Sequence, residues 1–182
     1  YRDDVDASKT RLNIDTGAIS ERAPRFPDGS RMDAMAVYIA DDWRHGRWDV
    51  NYGLRYSRFD ISIPSQGTTP GVSLKPDDLT GNVGIAFELS DDMRLVANLG
   101  RGFRAPNIFD LGVFGPRPGN RFSTPNPDLA PEYVTSIDAG LKFGGEHFSG
   151  ELIAFRSSYR DKITSVLTGN VIDGALEVQN RN

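Results

Sequence analysis

The stretch from Trp48 to Phe59 alternates without interruption: Trp48, Val50, Tyr52, Leu54 and Tyr56 fall on one side of an extended chain, and Asp49, Asn51, Gly53, Arg55 and Ser57 on the other. A period of two belongs to a β-strand with one apolar face, because helical geometry scatters both sets around the axis. Met35, Val37 and Ile39 alternate in the same way with Ala36, Tyr38 and Ala40 up to Trp43, and Arg44-His45-Gly46-Arg47 predicts the turn of a hairpin. A second hairpin joins Leu79–Leu89 to Met93–Phe103 across Ser90-Asp91-Asp92. A third joins Tyr133–Phe143 to Phe148–Arg160 across Gly144-Gly145-Glu146-His147. In its second strand Leu152-Ile153-Ala154-Phe155 blurs the alternation, so the faces stay unassigned. No helical period competes.

The connections between hairpins are long, from Ile61 to Asp77, from Arg104 to Glu132 and from Thr164 to Glu177. Tight turns at one end and long loops at the other are the asymmetry of a transmembrane barrel, and each strand is near the ~9–11 residues that cross a bilayer at a tilt. The expected fold class is therefore all-β: antiparallel up-and-down hairpins forming part of a large transmembrane barrel. A bulk composition of 38% apolar and 25% charged residues in 182 does not oppose this, since alternating strands average to the hydropathy of a soluble protein. No apolar run is longer than Met35–Ala40, far short of the ~20 residues of a membrane helix. Trp43 and Trp48 flank one tight turn, where an interfacial aromatic girdle lies in a barrel; in a soluble sheet they are edge residues.

Two competing architectures share these features. A passive porin or adhesin barrel has the same alternation, and a soluble β-sandwich binding sugars or proteins has it if the Trp48, Val50, Tyr52 and Leu54 face packs in a dry core. Six strands with two open edges cannot sit in lipid, where every backbone amide needs an internal partner, so further strands are expected elsewhere. Tyr1–Asp33 has loop composition, with Pro24, Pro27 and Gly29, and Glu177–Asn182 resembles a strand beginning. Without a charged-then-apolar signal segment at Tyr1, the chain reads as an excised or processed piece. A net charge of -4 with scattered Lys and Arg gives no nucleic-acid footprint, and the absence of Cys removes disulfides and thiolate metal sites.

The strongest local signal is Gly102-Phe103-Arg104-Ala105-Pro106-Asn107-Ile108-Phe109-Asp110-Leu111, followed by Asn126-Pro127-Asp128-Leu129-Ala130-Pro131-Glu132 and the strand Val134–Phe143. Pro106 cannot donate to a ladder and so ends the Met93 strand, while Pro125, Pro127 and Pro131 keep the returning segment extended until pairing resumes at Tyr133. Arg104 and Glu132 then stand at the two rims of one loop, placed to pair. The two motifs resemble those of the TonB-dependent outer-membrane receptors, and the outline of the Met35–Tyr56 hairpin and the Tyr159–Ile163 strand end are similar as well. The motif residues are Phe103, Arg104, Ala105, Pro106, Asn126, Pro127, Leu129, Pro131 and Glu132.

The resemblance implies a barrel of about 22 strands, of which residues 1–182 are a part, with the plug domain and remaining strands outside it. It implies active import of an iron-bearing ligand, a ferric siderophore or haem, bound by external loops. It also implies outer-membrane lipid and lipopolysaccharide as surroundings, and TonB as a partner reached through plug segments absent here. In haem receptors a His is expected between the two motifs; Asn107–Pro125 has none, and His45 and His147 fall in tight turns. The interval offers instead Phe114, Arg117, Arg121 and Phe122, which with Arg104 are the expected ligand contacts, because Arg supplies both charge and a stacking plane to an anionic, ring-bearing chelate. A solvated loop contacting lipopolysaccharide phosphates is the plainer account of them.

No resident cofactor or metal site and no enzymatic activity are expected, the iron chelate or haem being cargo. Asp15-Thr16-Gly17 matches an aspartic-protease segment but lacks a second copy, and it reads as a turn in which Asp15 bonds its own backbone. Asp3, Asp4 and Asp6 lack the glycine and distal glutamate of a Ca²⁺ loop, and Gly100-Arg101-Gly102 is followed by Pro106 rather than a helix.

Overall fold

A computed structural model of the chain describes residues 1–22, 24–65, 70–145 and 147–182. Its elements are β1 (Arg2–Asp4), β2 (Thr10–Leu12), β3 (Ile19–Glu21), β4 (Arg31–His45), β5 (Trp48–Ile63), β6 (Val72–Leu74), β7 (Asp77–Ser90), β8 (Met93–Arg104), α1 (Ile108–Gly112), β9 (Gly115–Arg117), β10 (Arg121–Thr124), β11 (Glu132–Gly144), β12 (Ser149–Arg160), β13 (Thr164–Ile172) and β14 (Ala175–Arg181). The main sheet runs β1-β4-β5-β7-β8-β11-β12, antiparallel throughout, with β6 beside the end of β5. The three expected hairpins are β4–β5, β7–β8 and β11–β12, and every strand but β12, which ends at Arg160 as expected, runs further at its loop end than the alternation alone defines. Of the third turn, Glu146 lies outside the described residues, as do residues 66–69 of the loop after β5.

Register carries the alternation across the sheet. On one face Trp48, Phe87, Leu95, Leu141 and Leu152 are successive cross-strand partners, as are Val50, Ile85, Ala97, Ala139 and Ala154. On the other face Asn51, Gly84, Asn98 and Asp138 form a polar row, in which Asn98 donates to Asp138 at 2.6 Å. A Cβ at Gly84 would meet the Asn51 and Asn98 side chains at 2.7 Å, so glycine there lets the polar row close up. The apolar face lies open, with Ile39 66% and Leu54 51% exposed, which fits a surface whose partner is lipid rather than protein. The register also assigns the faces of β12: Leu152 and Ala154 join the apolar side, while Ile153 and Phe155 oppose Gly140 and Asp138 on the polar side. Apolar residues on both sides are what blurred the alternation there.

Everything outside these long strands gathers at the end opposite the tight turns. Ile61 and Ile63, which share the polar-face parity of Asn51 and Gly53, pack with Val72, Ala105, Ile108, Leu111 and Leu129 into a small core. The loop after β8 therefore folds over the luminal side of the sheet's upper end. The connection Thr164–Glu177 is not a long loop, contrary to the sequence expectation: β13 and β14 form a hairpin closed at Asp173-Gly174, both at positive φ (49° and 76°), the geometry of a two-residue primed turn. The strand expected from Glu177 is part of β14, which lies outside the main sheet and pairs in parallel with β10 inside the preceding loop. Tyr1–Asp33, expected as loop, contains β1 paired to β4 and the β2–β3 hairpin. At that hairpin's tip Asn13, not Asp15, makes the side-chain turn, its Oδ1 accepting from the Asp15 and Thr16 amides at 2.9 and 3.3 Å.

The two faces predict opposite responses to charge. Ala139→Arg, in the middle of the apolar band, is expected to destabilise the full-length protein in detergent or lipid by about 2–4 kcal/mol, whereas Ser157→Arg on the polar face costs under about 1 kcal/mol. Urea unfolding midpoints of the two variants measure the difference.

Candidate functional site

Arg104 is the pivot of the external end. Its Nε donates to Glu132 Oε2 at 2.6 Å and its Nη1 to Asp110 Oδ2 at 2.7 Å. The local sequence arranges this: Pro106 ends β8, Asn107 caps α1 by accepting from the Asp110 amide at 2.8 Å, and Asp110 returns the bond to the Asn107 amide at 3.1 Å. This reciprocal capping box aims the Asp110 carboxylate back at Arg104. Glu132 Oε1 also accepts the Ile163 amide at 2.5 Å, tying in the segment before β13. The paired carboxylates hold the Arg104 guanidinium well above its usual range, and the Arg104 bond, helped by the Ile163 amide, pulls the Glu132 carboxyl below the ordinary carboxylate value.

The other motif residues are structural in the same assembly. Ala105, Pro106 and Leu129 are buried. Pro127 and Pro131 are half-buried, and Phe103 packs between Phe59 and Tyr133, at ring centroid distances of 6.0 and 5.7 Å. Asn126 donates to the Asn180 carbonyl at 2.8 Å, and buried Asn180 donates to the Asp110 carbonyl at 3.0 Å. Glu177 on β14 collects Thr124, Thr168 and Asn170, with Thr124 at 2.7 Å and Asn170 at 2.8 Å. Hydrogen bonds from Thr168 first, then Thr124 and Asn170, lower its carboxyl below the usual value.

The loop's expected ligand residues do not form one cluster. Phe114 and Phe122 meet edge to face at 5.1 Å. Arg117 and Arg121 are directly opposed across β9–β10, on the side away from the Pro116–Phe122 pair. Phe114, Pro116 and Phe122 instead line a cleft of about 470 Å³ with Lys9, Arg11 and Arg22 of the β2–β3 hairpin. In that hairpin Thr10 opposes Glu21 and Arg11 opposes Ser20, which puts Lys9, Arg11 and Arg22 on one face. Their side chains are exposed, and none makes a hydrogen bond or ion pair among the described residues. The spacing Lys9-x-Arg11 and Arg22 was present in the sequence, but only the pairing of a segment with loop composition brings these cations to the aromatics. Among the described residues no three His, Asp or Glu side chains are grouped to hold a metal ion.

Over residues 1–182 the sequence matches the family described as TonB dependent receptor-like, beta-barrel. The chain belongs to the TonB-dependent receptor β-barrel family. Its members are receptors and transporters of the bacterial outer membrane, and that is where this barrel resides. The vitamin B12 transporter BtuB of Vibrio vulnificus is 31% identical over 90 residues, covering 50% of this chain and 13% of BtuB. The copper transporter OprC superposes with a TM-score of 0.73 at 18% identity, over 95% of this chain and 28% of OprC. A double mutant of the Serratia marcescens hemophore receptor HasR, in complex with its hemophore HasA and heme, gives 0.72 at 14% identity, over 91% of this chain and 32% of HasR. These two solved structures share the fold, and the chain spans less than a third of each.

Acid should loosen the external assembly of this receptor barrel. Both Glu132 and Glu177 bind a proton more weakly folded than unfolded, so their stabilisation is complete above the free Glu value of about 4.3 and is lost as pH falls through their lower folded values. Hydrogen exchange of peptides 104–132 and 164–181 in the full receptor should rise below about pH 4 while β7 and β8 stay protected; parallel exchange in both regions would count against the assignment.

Proposed function

We propose that the receptor containing this barrel segment is an active importer of an iron-bearing chelate, and that the cleft between the β2–β3 hairpin and the β9–β10 loop binds its anionic, ring-bearing portion. The observation that carries this reading is the meeting of three cations, Lys9, Arg11 and Arg22, whose side chains have no partner among the described residues, with the Phe114–Phe122 pair in one cleft. Guanidinium and ammonium groups neutralise an anionic chelate, and phenyl rings stack on its aromatic arms. The volume falls within the range of ordinary small-molecule sites. A ferric catecholate siderophore fits this chemistry better than haem, since no His lies in Asn107–Pro125. We assign Arg104 a positioning role and Arg117 and Arg121 a role in drawing the anion toward the loop.

The family match supports energised import through TonB, with a plug domain and the remaining strands supplied by the rest of the receptor. No chemistry on the ligand is proposed, so the reading is of a transporter without a resident cofactor. The full-length receptor tests it by titration with ferric catecholate, ferric hydroxamate, haem and cobalamin. Ferric catecholate is expected to bind tightest, and Arg11→Ala and Arg22→Ala are each expected to weaken it about tenfold, the worth of one charge-assisted contact, with Phe122→Ala weakening it severalfold. Tightest binding of cobalamin or haem, or wild-type affinity in the arginine variants, would overturn it, and uptake that persists without TonB would favour a passive pore.

A further inference from the structure

Two separate external loops form the cleft, and they grip each other directly behind it. Residues 5–30 run from β1 to β4 and carry the β2–β3 hairpin, while residues 105–131 carry α1, β9 and β10. Three consecutive residues of the first loop each hold the same stretch of the second. The Arg25 carbonyl accepts the Phe114 amide at 3.0 Å. The Phe26 and Phe109 rings meet with centroids 5.8 Å apart and planes tilted by 44°. Pro27 is buried against Gly112, where an added Cβ would come within 3.5 Å of the Pro27 Cδ.

Both sides of this grip are anchored. On one side the Arg22 amide donates to the Lys9 carbonyl at 2.8 Å and closes the base of β2–β3. On the other, buried Ser30 donates its hydroxyl to the Pro27 carbonyl at 2.6 Å, and the Val5 amide donates to the Ser30 carbonyl at 2.8 Å. Across the cleft Gly115, at a φ of 115° and with open space where a Cβ would stand, turns the chain from Phe114 into β9. The aromatic jaw thus has its swing point one residue beyond the grip.

The core does not account for the Phe26–Phe109 contact. Ile108 and Leu111 of α1 are buried with Ile61 and Ile63, while Phe109 stays 45% exposed and Phe26 half-buried. What the two rings join is one loop to the other. A hairpin with only three paired residues on each strand is marginal by itself, so the place of β2–β3 over Phe114 and Phe122 depends on this tether.

We propose that Phe26 and Phe109, with the Arg25 carbonyl, are positioning residues that latch the two loops together and set the gap between the cationic and aromatic jaws. Neither ring lines the cleft, so neither touches the ligand. The proposal rests on the cleft being the chelate's site. A gap set before the ligand arrives strengthens binding, because a ligand binds only the fraction of receptors whose jaws stand at the right separation.

The test uses the full-length receptor in detergent, with spin labels on Asp15→Cys at the β2–β3 tip and Pro118→Cys in the β9–β10 turn. Dipolar electron resonance then reads the gap without ligand. A narrow distance distribution is expected with the latch intact, a broad one in Phe26→Ala and in Phe109→Ala, and a narrow one again in Phe26→Tyr, which keeps the ring contact. Ferric catecholate binding should weaken severalfold in the two alanine variants, up to about tenfold, the worth of one aromatic pair, while the urea midpoint of the barrel is unchanged. Narrow distributions in both alanine variants would overturn the proposal, and so would a broad one combined with wild-type catecholate affinity. Phe26→Leu, which removes the ring and keeps the bulk, takes the place of an alanine variant that does not fold. If the receptor binds no ferric catecholate, the choice of ligand falls, while a broad distribution in the alanine variants still supports the latch.

Discussion

The external half of this molecule hangs on the two hydrogen bonds of Arg104. One arm holds Glu132, where β11 begins, and the other holds Asp110, which caps α1. Through Glu132 the same clasp reaches the Ile163 amide and so the start of the β13–β14 hairpin. A long connection in water gains little from any single exposed ion pair. Here each partner of the pair is also spent on a backbone amide, so local helix capping and chain return are fixed together. The buried Ala105, Ile108, Leu111 and Leu129 then seat the loop on Ile61 and Ile63, and that seating brings the Phe114–Phe122 pair against the basic face of β2–β3.

Below this assembly the constraint is different. A sheet in lipid must pair its backbone and turn apolar side chains outward, and the cross-strand rows through Ala97 and Ala139 do so. The inward rows carry Asn51, Asn98 and Asp138, of which Asn98 donates to Asp138 across the strands. Aromatic residues stand at both ends of the wall: Trp43 and Trp48 at the turn end, and Tyr133, with the Arg101 and Arg160 guanidinium groups over its ring, at the loop end.

The wall was legible in the sequence because its period is local. Alternation in β5 names both faces without knowledge of the partner strand, and only β12, apolar on both sides, resisted. The Arg104–Glu132 pair was also legible, since two proline-flanked motifs must bring their ends together. What escaped were pairings between distant segments. Asp173-Gly174 is a strong local signal for a hairpin, but β14 pairs with β10 across a long span of chain, and nothing in either segment announces it. For the same reason Phe114 and Phe122 could be singled out from the sequence as expected ligand contacts, while Lys9, Arg11 and Arg22, which line the same cleft, were hidden in a stretch that reads as loop. Arg117 and Arg121, close to the phenylalanines in sequence, are parted from them by the simple alternation of a short strand.

We propose that the clasped external loop presents a preformed cationic and aromatic cleft to an anionic chelate. An experimental structure of the full-length receptor with bound ferric catecholate measures this directly. The chelate is expected between Arg11, Arg22 and the Phe114–Phe122 pair, with Arg104 still bonded to Glu132 and Asp110. A chelate seated elsewhere, with this cleft empty, would contradict it.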